Sequence, residues 1–174
     1  MFRALCIFVL VSCAPGTPSS SQGPPLDSTS ESLVGMWTLE SRQDRTLDGA
    51  VHVDTTLGEV PLGLLIYDRS GHVAAQLMKH DRTVASGSSV TVMGGTSNNT
   101  GNIAGYDAYF GTYTVNPTSK TVTHHLDGAL VPSDIGKSLV RHYQLSPGIL
   151  RLWLDTTTPA GTPIIRTLTF RRVP

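Results

Sequence analysis

From Gly35 onward the chain is written in short runs of alternating apolar and polar residues, each closed by a turn signal. No run keeps a helical period for more than two turns. A period of two puts every second side chain on the same face of a strand, so runs of this kind become half-buried β-strands. Nine segments fit the pattern: 36–42, 51–56, 62–67, 72–80, 104–115, 121–130, 138–145, 150–155 and 164–172. Glycine and proline, 17 and 11 residues, supply the breaks between them. The expectation is an all-β fold: a closed antiparallel up-and-down β-barrel of about eight to nine strands, which leaves no sheet edge exposed.

Upstream of the strands the composition changes. Met1-Phe2-Arg3 followed by the apolar run Ala4 to Val11 is too short to span a bilayer and reads as a signal peptide, residues 1–16. Cleavage after Ala14 and after Gly16 both fit the small-residue rule, and Leu10-Val11-Ser12-Cys13 also resembles a lipobox. Residues 17–32, rich in Ser, Pro and Gly, read as a flexible leader, with a turn of helix at Glu31 to Val34. The barrel domain is then 33–174. Both cysteines, Cys6 and Cys13, fall in the signal segment, so the mature chain is expected to have no disulfide and no thiol nucleophile. Entry into the secretory pathway makes Asn98-Asn99-Thr100 a glycosylation sequon at Asn98, whereas Asn116-Pro117-Thr118 is blocked by its proline.

Charge narrows the function. Lys plus Arg and Asp plus Glu both number 13, for a formal net charge of zero. Nucleic-acid binding needs a basic surface, and membrane-surface binding a basic amphipathic stretch; neither is present. There is no GxSxG elbow, HExxH, P-loop or dinucleotide fingerprint, and no cofactor is expected. His124 and His125 are adjacent, so in a strand they point to opposite faces and cannot share a metal. A metal site would need His52, His72, His80 or His142 to converge with one of them, and a Ser/His/Asp triad would have to be assembled from loops.

The chemistry that remains is that of the barrel interior. Pairing Leu145 with Leu150 across the Pro147-Gly148 turn gives a face of Arg141, Tyr143, Leu145, Leu150, Leu152 and Leu154, which points inward and takes Arg141 with it. Pairing Asn116 with Thr121 sets Tyr113 near His124 and Gly111 near Leu126, with Tyr109 further along the same inner face; a one-residue slip would exchange His124 for His125. A short loop at 68–71 places Leu65 and Tyr67 beside His72, Ala74, Gln76 and Met78. An arginine and a histidine inside a barrel need hydrogen-bond partners or a ligand. Residues 81–105 are long for a connection and read as a lid or binding loop at the mouth.

Several segments, in order, are similar to one family. Leu33-Val34-Gly35-Met36-Trp37 carries the G-x-W opening of lipocalins. Gly63 to Tyr67, Gly71 to Met78, Gly111-Thr112-Tyr113, Val122 to His125 and Thr169 to Arg172 resemble the small lipocalin-like domain family. In layout the chain most resembles the secreted fungal hetero-Diels–Alderases of tropolone-sesquiterpenoid biosynthesis. That resemblance implies a cofactor-free pericyclase that joins a tropolone-type o-quinone methide to a humulene-type terpene by a [4+2] reaction. The other reading is a non-catalytic carrier of small hydrophobic ligands. No catalytic motif of the subset matches residue by residue.

A cycloaddition needs two apolar partners in reacting geometry and donors to the quinone-methide oxygen. The expected donors are Arg141, His124, Tyr113, Tyr109 and Gln76; the expected walls are Trp37, Tyr67, Met78, Tyr143 and Leu152, with Trp37 also suited to plugging the barrel base. The partners are then small hydrophobic substrates, with no nucleic acid and no membrane, and a homodimer is left open.

Overall fold

A computed structural model describes residues 28–82, 91–96 and 98–174. The expected signal peptide, the leader up to residue 27 and both cysteines lie outside the described residues. Helix α1 (Ser28–Leu33) is followed by β1 (Gly35–Thr46), β2 (Val51–His52), β3 (Leu62–Tyr67), β4 (His72–Met78), β5 (Val92–Met93) and β6 (Asn102–Ile103). The remaining strands are β7 (Tyr106–Asn116), β8 (Thr121–Ala129), β9 (Ser138–Ser146), β10 (Ile149–Thr157) and β11 (Pro163–Arg172).

Strands β1, β3, β4, β7, β8, β9, β10 and β11 pair antiparallel in that order, and β11 returns to β1. The result is a closed eight-stranded up-and-down barrel. Closure gives each of these strands a neighbour on both sides, so no stave is left as a long exposed edge.

Two expected element bounds need correction. The stretch expected as a strand at 51–56 pairs with β1 only at Val51 and His52. Beyond it the Asp54 carboxylate accepts bonds from the Thr56 N–H and hydroxyl, both at 2.6 Å, and this local turn competes with a ladder. The helix also begins earlier than the expected turn, inside the segment assigned to the leader. It is anchored because Leu33 is fully buried and Arg172 donates to the Val34 and Ser32 carbonyls at 2.6 and 2.7 Å.

The faces of β8, β9 and β10 follow the expected registers: Tyr113 pairs with His124, Leu145 with Leu150 and Tyr143 with Leu152. Leu150, Leu152, Leu154 and Arg141 are all buried. Gly111 sits where β8 bulges at Asp127, and a Cβ there would lie 1.9 Å from the His125 carbonyl oxygen, so only glycine fits.

The β3–β4 hairpin does not follow its expected register. Asp68 donates its N–H to the His72 carbonyl at 2.9 Å, which leaves a three-residue loop of Arg69, Ser70 and Gly71. Gly71 takes φ +87°, the left-handed conformation this kind of loop requires. Tyr67 therefore pairs with Val73, and Leu65 with Ala75. One residue of slip reverses the faces. Val73, Ala75 and Leu77 point inward, while His72, Ala74, Gln76 and Met78 point out.

Side chains fill one end of the barrel. Trp37 is fully buried there, donates its indole N–H to the Leu33 carbonyl at 2.9 Å and carries the Arg172 guanidinium 4.1 Å above its ring. Tyr67 and Tyr113 stack edge-to-face above it at 4.8 Å, and Tyr143 completes the packed layer. Each large apolar side chain buried in this way contributes about 1.5–3 kcal/mol.

Candidate functional site

The half of the barrel away from Trp37 is hollow. Its cavity has about 890 Å³ of free space, counting the mouth that meets solvent. Leu65, Leu77, Leu152, Leu154, Leu168 and Phe170 form its apolar wall.

A hydrogen-bonded chain forms the floor. His124 is buried, with Nε2 2.6 Å from the Tyr67 hydroxyl and Nδ1 2.9 Å from the Tyr109 hydroxyl. Burial, then the Arg141 charge, holds the imidazole pKa well below its ordinary value, so the ring is neutral and carries one proton. Tyr67 is fully buried and its hydroxyl has no acceptor among the described residues other than His124. Tyr67 must therefore donate to Nε2, because an unmet buried donor costs about 1–3 kcal/mol. That assigns the ring proton to Nδ1, which donates to Tyr109. The Tyr109 hydroxyl proton is then free to point into the cavity.

Arg141 stands beside Tyr109. Burial pushes the Tyr109 phenol up to about 12 even though the Arg141 charge pulls the other way, so the phenol keeps its proton. Arg141 donates through Nη1 to the Asn98 carbonyl at 2.8 Å, which ties the cavity floor to the segment covering the mouth. That segment is fastened at several points. Asn98 Nδ2 donates to the Val140 and Asp155 carbonyls at 3.1 and 3.2 Å, and its Oδ1 accepts from the Val140 N–H at 2.9 Å. The buried Asp134 carboxylate accepts from the Gly101 N–H at 2.6 Å. Of the expected lid, residues 83–90 and 97 lie outside the described residues.

Of the ten residues expected to donate or line, the cavity wall includes Arg141, His124, Tyr109 and Leu152. Tyr67 touches the site through His124. Tyr113 instead donates to the Asp68 carbonyl at 3.0 Å, and Trp37 and Tyr143 belong to the packed base. The register slip removes the other two from the interior: Gln76 lies on the outer face, accepting from the Tyr106 hydroxyl at 3.0 Å, and Met78 pairs with Leu62 and Tyr106 on that face. The expected glycosylation atom, Asn98 Nδ2, is the one that donates to Val140 and Asp155, so a glycan there and both bonds exclude each other.

The cavity wall also holds charged residues not anticipated from the sequence, Arg42, Asp54, Asp107 and Arg166, with Asp44 behind them. Arg166 grips Asp44 with two bonds at 2.8 and 2.7 Å and reaches Asp54 at 3.2 Å, while Arg42 pairs with Asp54. A bulge at Glu40 reverses the alternation of β1, so Arg42 and Asp44 point inward after Trp37 and Leu39. Arg166 and Asp107 needed no bulge to be found. Each lies two residues before an inward residue, Leu168 and Tyr109. Among the described residues no three His, Cys, Asp or Glu side chains gather in a metal-holding group.

A family model described as the lipocalin-like domain matches residues 34–173. The chain belongs to the lipocalin-like domain family. Its match spans every stave of the barrel, from Gly35 to Arg172. No curated protein matches the chain. The lipocalin-like fold agrees with the hollow half of the barrel: this is a ligand-binding barrel suited to a small hydrophobic guest.

Proposed function

We propose that this lipocalin-like barrel binds a small, largely apolar molecule by a carbonyl or oxyanion oxygen held between the Tyr109 hydroxyl and the Arg141 guanidinium. In that grip it catalyses a cofactor-free [4+2] reaction of a tropolone-type o-quinone methide with a humulene-type terpene. The observation that carries the reading is the Tyr67–His124–Tyr109 chain, which leaves one phenolic proton directed at the cavity beside a buried cation.

The addition forms one carbon–carbon and one carbon–oxygen bond, with no leaving group and no proton or electron to deliver. The protein has only to orient the two partners and stabilise charge building on the quinone-methide oxygen. Tyr109 and Arg141 are donors of the right kind for that oxygen, and the leucine wall excludes water. Carriage without catalysis uses the same cavity and the same two donors.

The test is incubation of the purified protein with a humulene-type alkene and an o-quinone-methide precursor, followed by chiral chromatography. The expected outcome is one stereoisomer formed faster than in buffer, with Tyr109→Phe lowering the rate by about 10²-fold, the usual loss for one oxyanion donor. Racemic adduct at the buffer rate, from protein that still binds the quinone-methide precursor, ends the catalytic reading and leaves the carrier.

A further inference from the structure

Asp107 lies two residues before Tyr109 on the inner face of β7, so its carboxyl enters the same cavity nearer the mouth. The Thr100 hydroxyl donates to its Oδ2 at 2.6 Å. Its Oδ1 is buried and has no hydrogen-bond partner among the described residues. Native proteins rarely leave a buried polar atom unmet, and on a residue that lines a cavity such an orphan marks a place where a ligand completes the set.

The surroundings select the ligand group. Asp134 and the two guanidinium groups of Arg141 and Arg42 all act on this carboxyl. A cationic guest would meet both arginines, and an anionic one would meet Asp134 and Asp107. A neutral hydroxyl avoids both conflicts. It donates to a carboxylate and accepts from a carboxylic acid, so its bond persists in either protonation state. Burial raises the Asp107 carboxyl to about 6, which makes both states accessible near neutrality.

We propose that Asp107 is a second polar anchor that binds a hydroxyl of the guest. The barrel thereby selects a largely apolar molecule with a carbonyl at one end and a hydroxyl on the side toward the mouth. This rests on the carbonyl-binding reading of Tyr109 and Arg141.

Three rigid probes test it by calorimetric titration of the full barrel at about pH 7, where a carboxyl raised to about 6 is mostly ionised: benzophenone, 4-hydroxybenzophenone, and 4-methoxybenzophenone, which cannot donate to a carboxylate. The expected result is that the hydroxy ketone binds about ten- to a hundredfold tighter than benzophenone, the value of a hydrogen bond to a charged group, and that the methoxy ketone loses this gain. Asp107→Leu should bind hydroxy and parent ketones equally. Equal binding of all three ketones by wild type, with an affinity that falls in Tyr109→Phe, overturns the Asp107 site and leaves the carbonyl site standing. A preference that survives in a folded Asp107→Leu overturns it as well. No binding of any ketone removes the carbonyl site and this inference with it. The methoxy comparison decides the matter in wild type alone if the leucine variant fails to fold.

Discussion

The Tyr67 hydroxyl lies 2.6 Å from His124 Nε2, and through that bond a residue outside the cavity sets which proton faces into it. The relationship has a spectroscopic consequence. In ¹⁵N-resolved NMR, His124 should show a proton on Nδ1 and none on Nε2, and it should stay neutral as pH falls through the ordinary histidine range because burial depresses its pKa. Tyr67→Phe leaves Nε2 without its donor. The expected loss is about 1–3 kcal/mol in urea unfolding, together with weaker binding of a ketone probe.

Asp107 gives a pH signature. Its folded pKa is raised from 3.8 to about 6. Between about pH 4 and 6 the folded state holds this proton more tightly than the unfolded chain, so its contribution to stability is present at low pH and is lost as pH rises through 6. His124, depressed by burial, has the opposite slope below its unfolded pKa, so the two effects oppose each other in the wild-type profile. The comparison with Asp107→Asn separates them. The variant's stability relative to wild type should climb from pH 4 to 7 by on the order of 3 kcal/mol, read by denaturant titration at each pH. A constant offset would show that Asp107 titrates as an ordinary carboxyl.

The Asp44–Arg166 pair is buried and bidentate. Asp44→Ala leaves Arg166 with only its 3.2 Å contact to Asp54, which Arg42 already shares. Breaking a buried pair on one side costs about 3–5 kcal/mol, so this variant should show the largest drop in thermal midpoint among single cavity substitutions. Scanning calorimetry checks it.

Asn98 pins the covering segment between β9 and β10. Asn98→Ala removes its two donated bonds and the one it accepts from Val140. Global stability should change little, by about 1–2 kcal/mol. Limited proteolysis within 91–102 should speed up at least several-fold, because the segment then opens without unfolding the barrel. Cleavage at the wild-type rate would show that the Asp134 bond to the Gly101 N–H and the 2.7 Å contact between the Thr96 and Thr156 hydroxyls hold it without Asn98.

The inward reading of Arg141, His124, Tyr109 and Leu152 needed only alternation and the two hairpins that join β7 to β8 and β9 to β10. In the first, a one-residue slip would have exchanged His124 for His125, and the structure pairs Tyr113 with His124. The β3–β4 hairpin differed because Asp68 closes the loop onto His72, an odd count that reversed Gln76 and Met78 to the outside. Arg42 and Asp44 were hidden by the Glu40 bulge, which breaks the very periodicity that would reveal them. Asp107 was readable from its spacing to Tyr109, since two residues along a strand share a face.

Local pattern therefore dictated the strands, the closed barrel and most of its inner faces, because side-chain parity is a property of the backbone over a few residues. The site is another matter. Tyr67, Tyr109 and His124 come from β3, β7 and β8, and Arg166 meets Asp44 across 122 residues of chain. Bonds of that kind depend on how bulges and loop lengths add up around the whole cylinder. Only closure brings them within 3 Å.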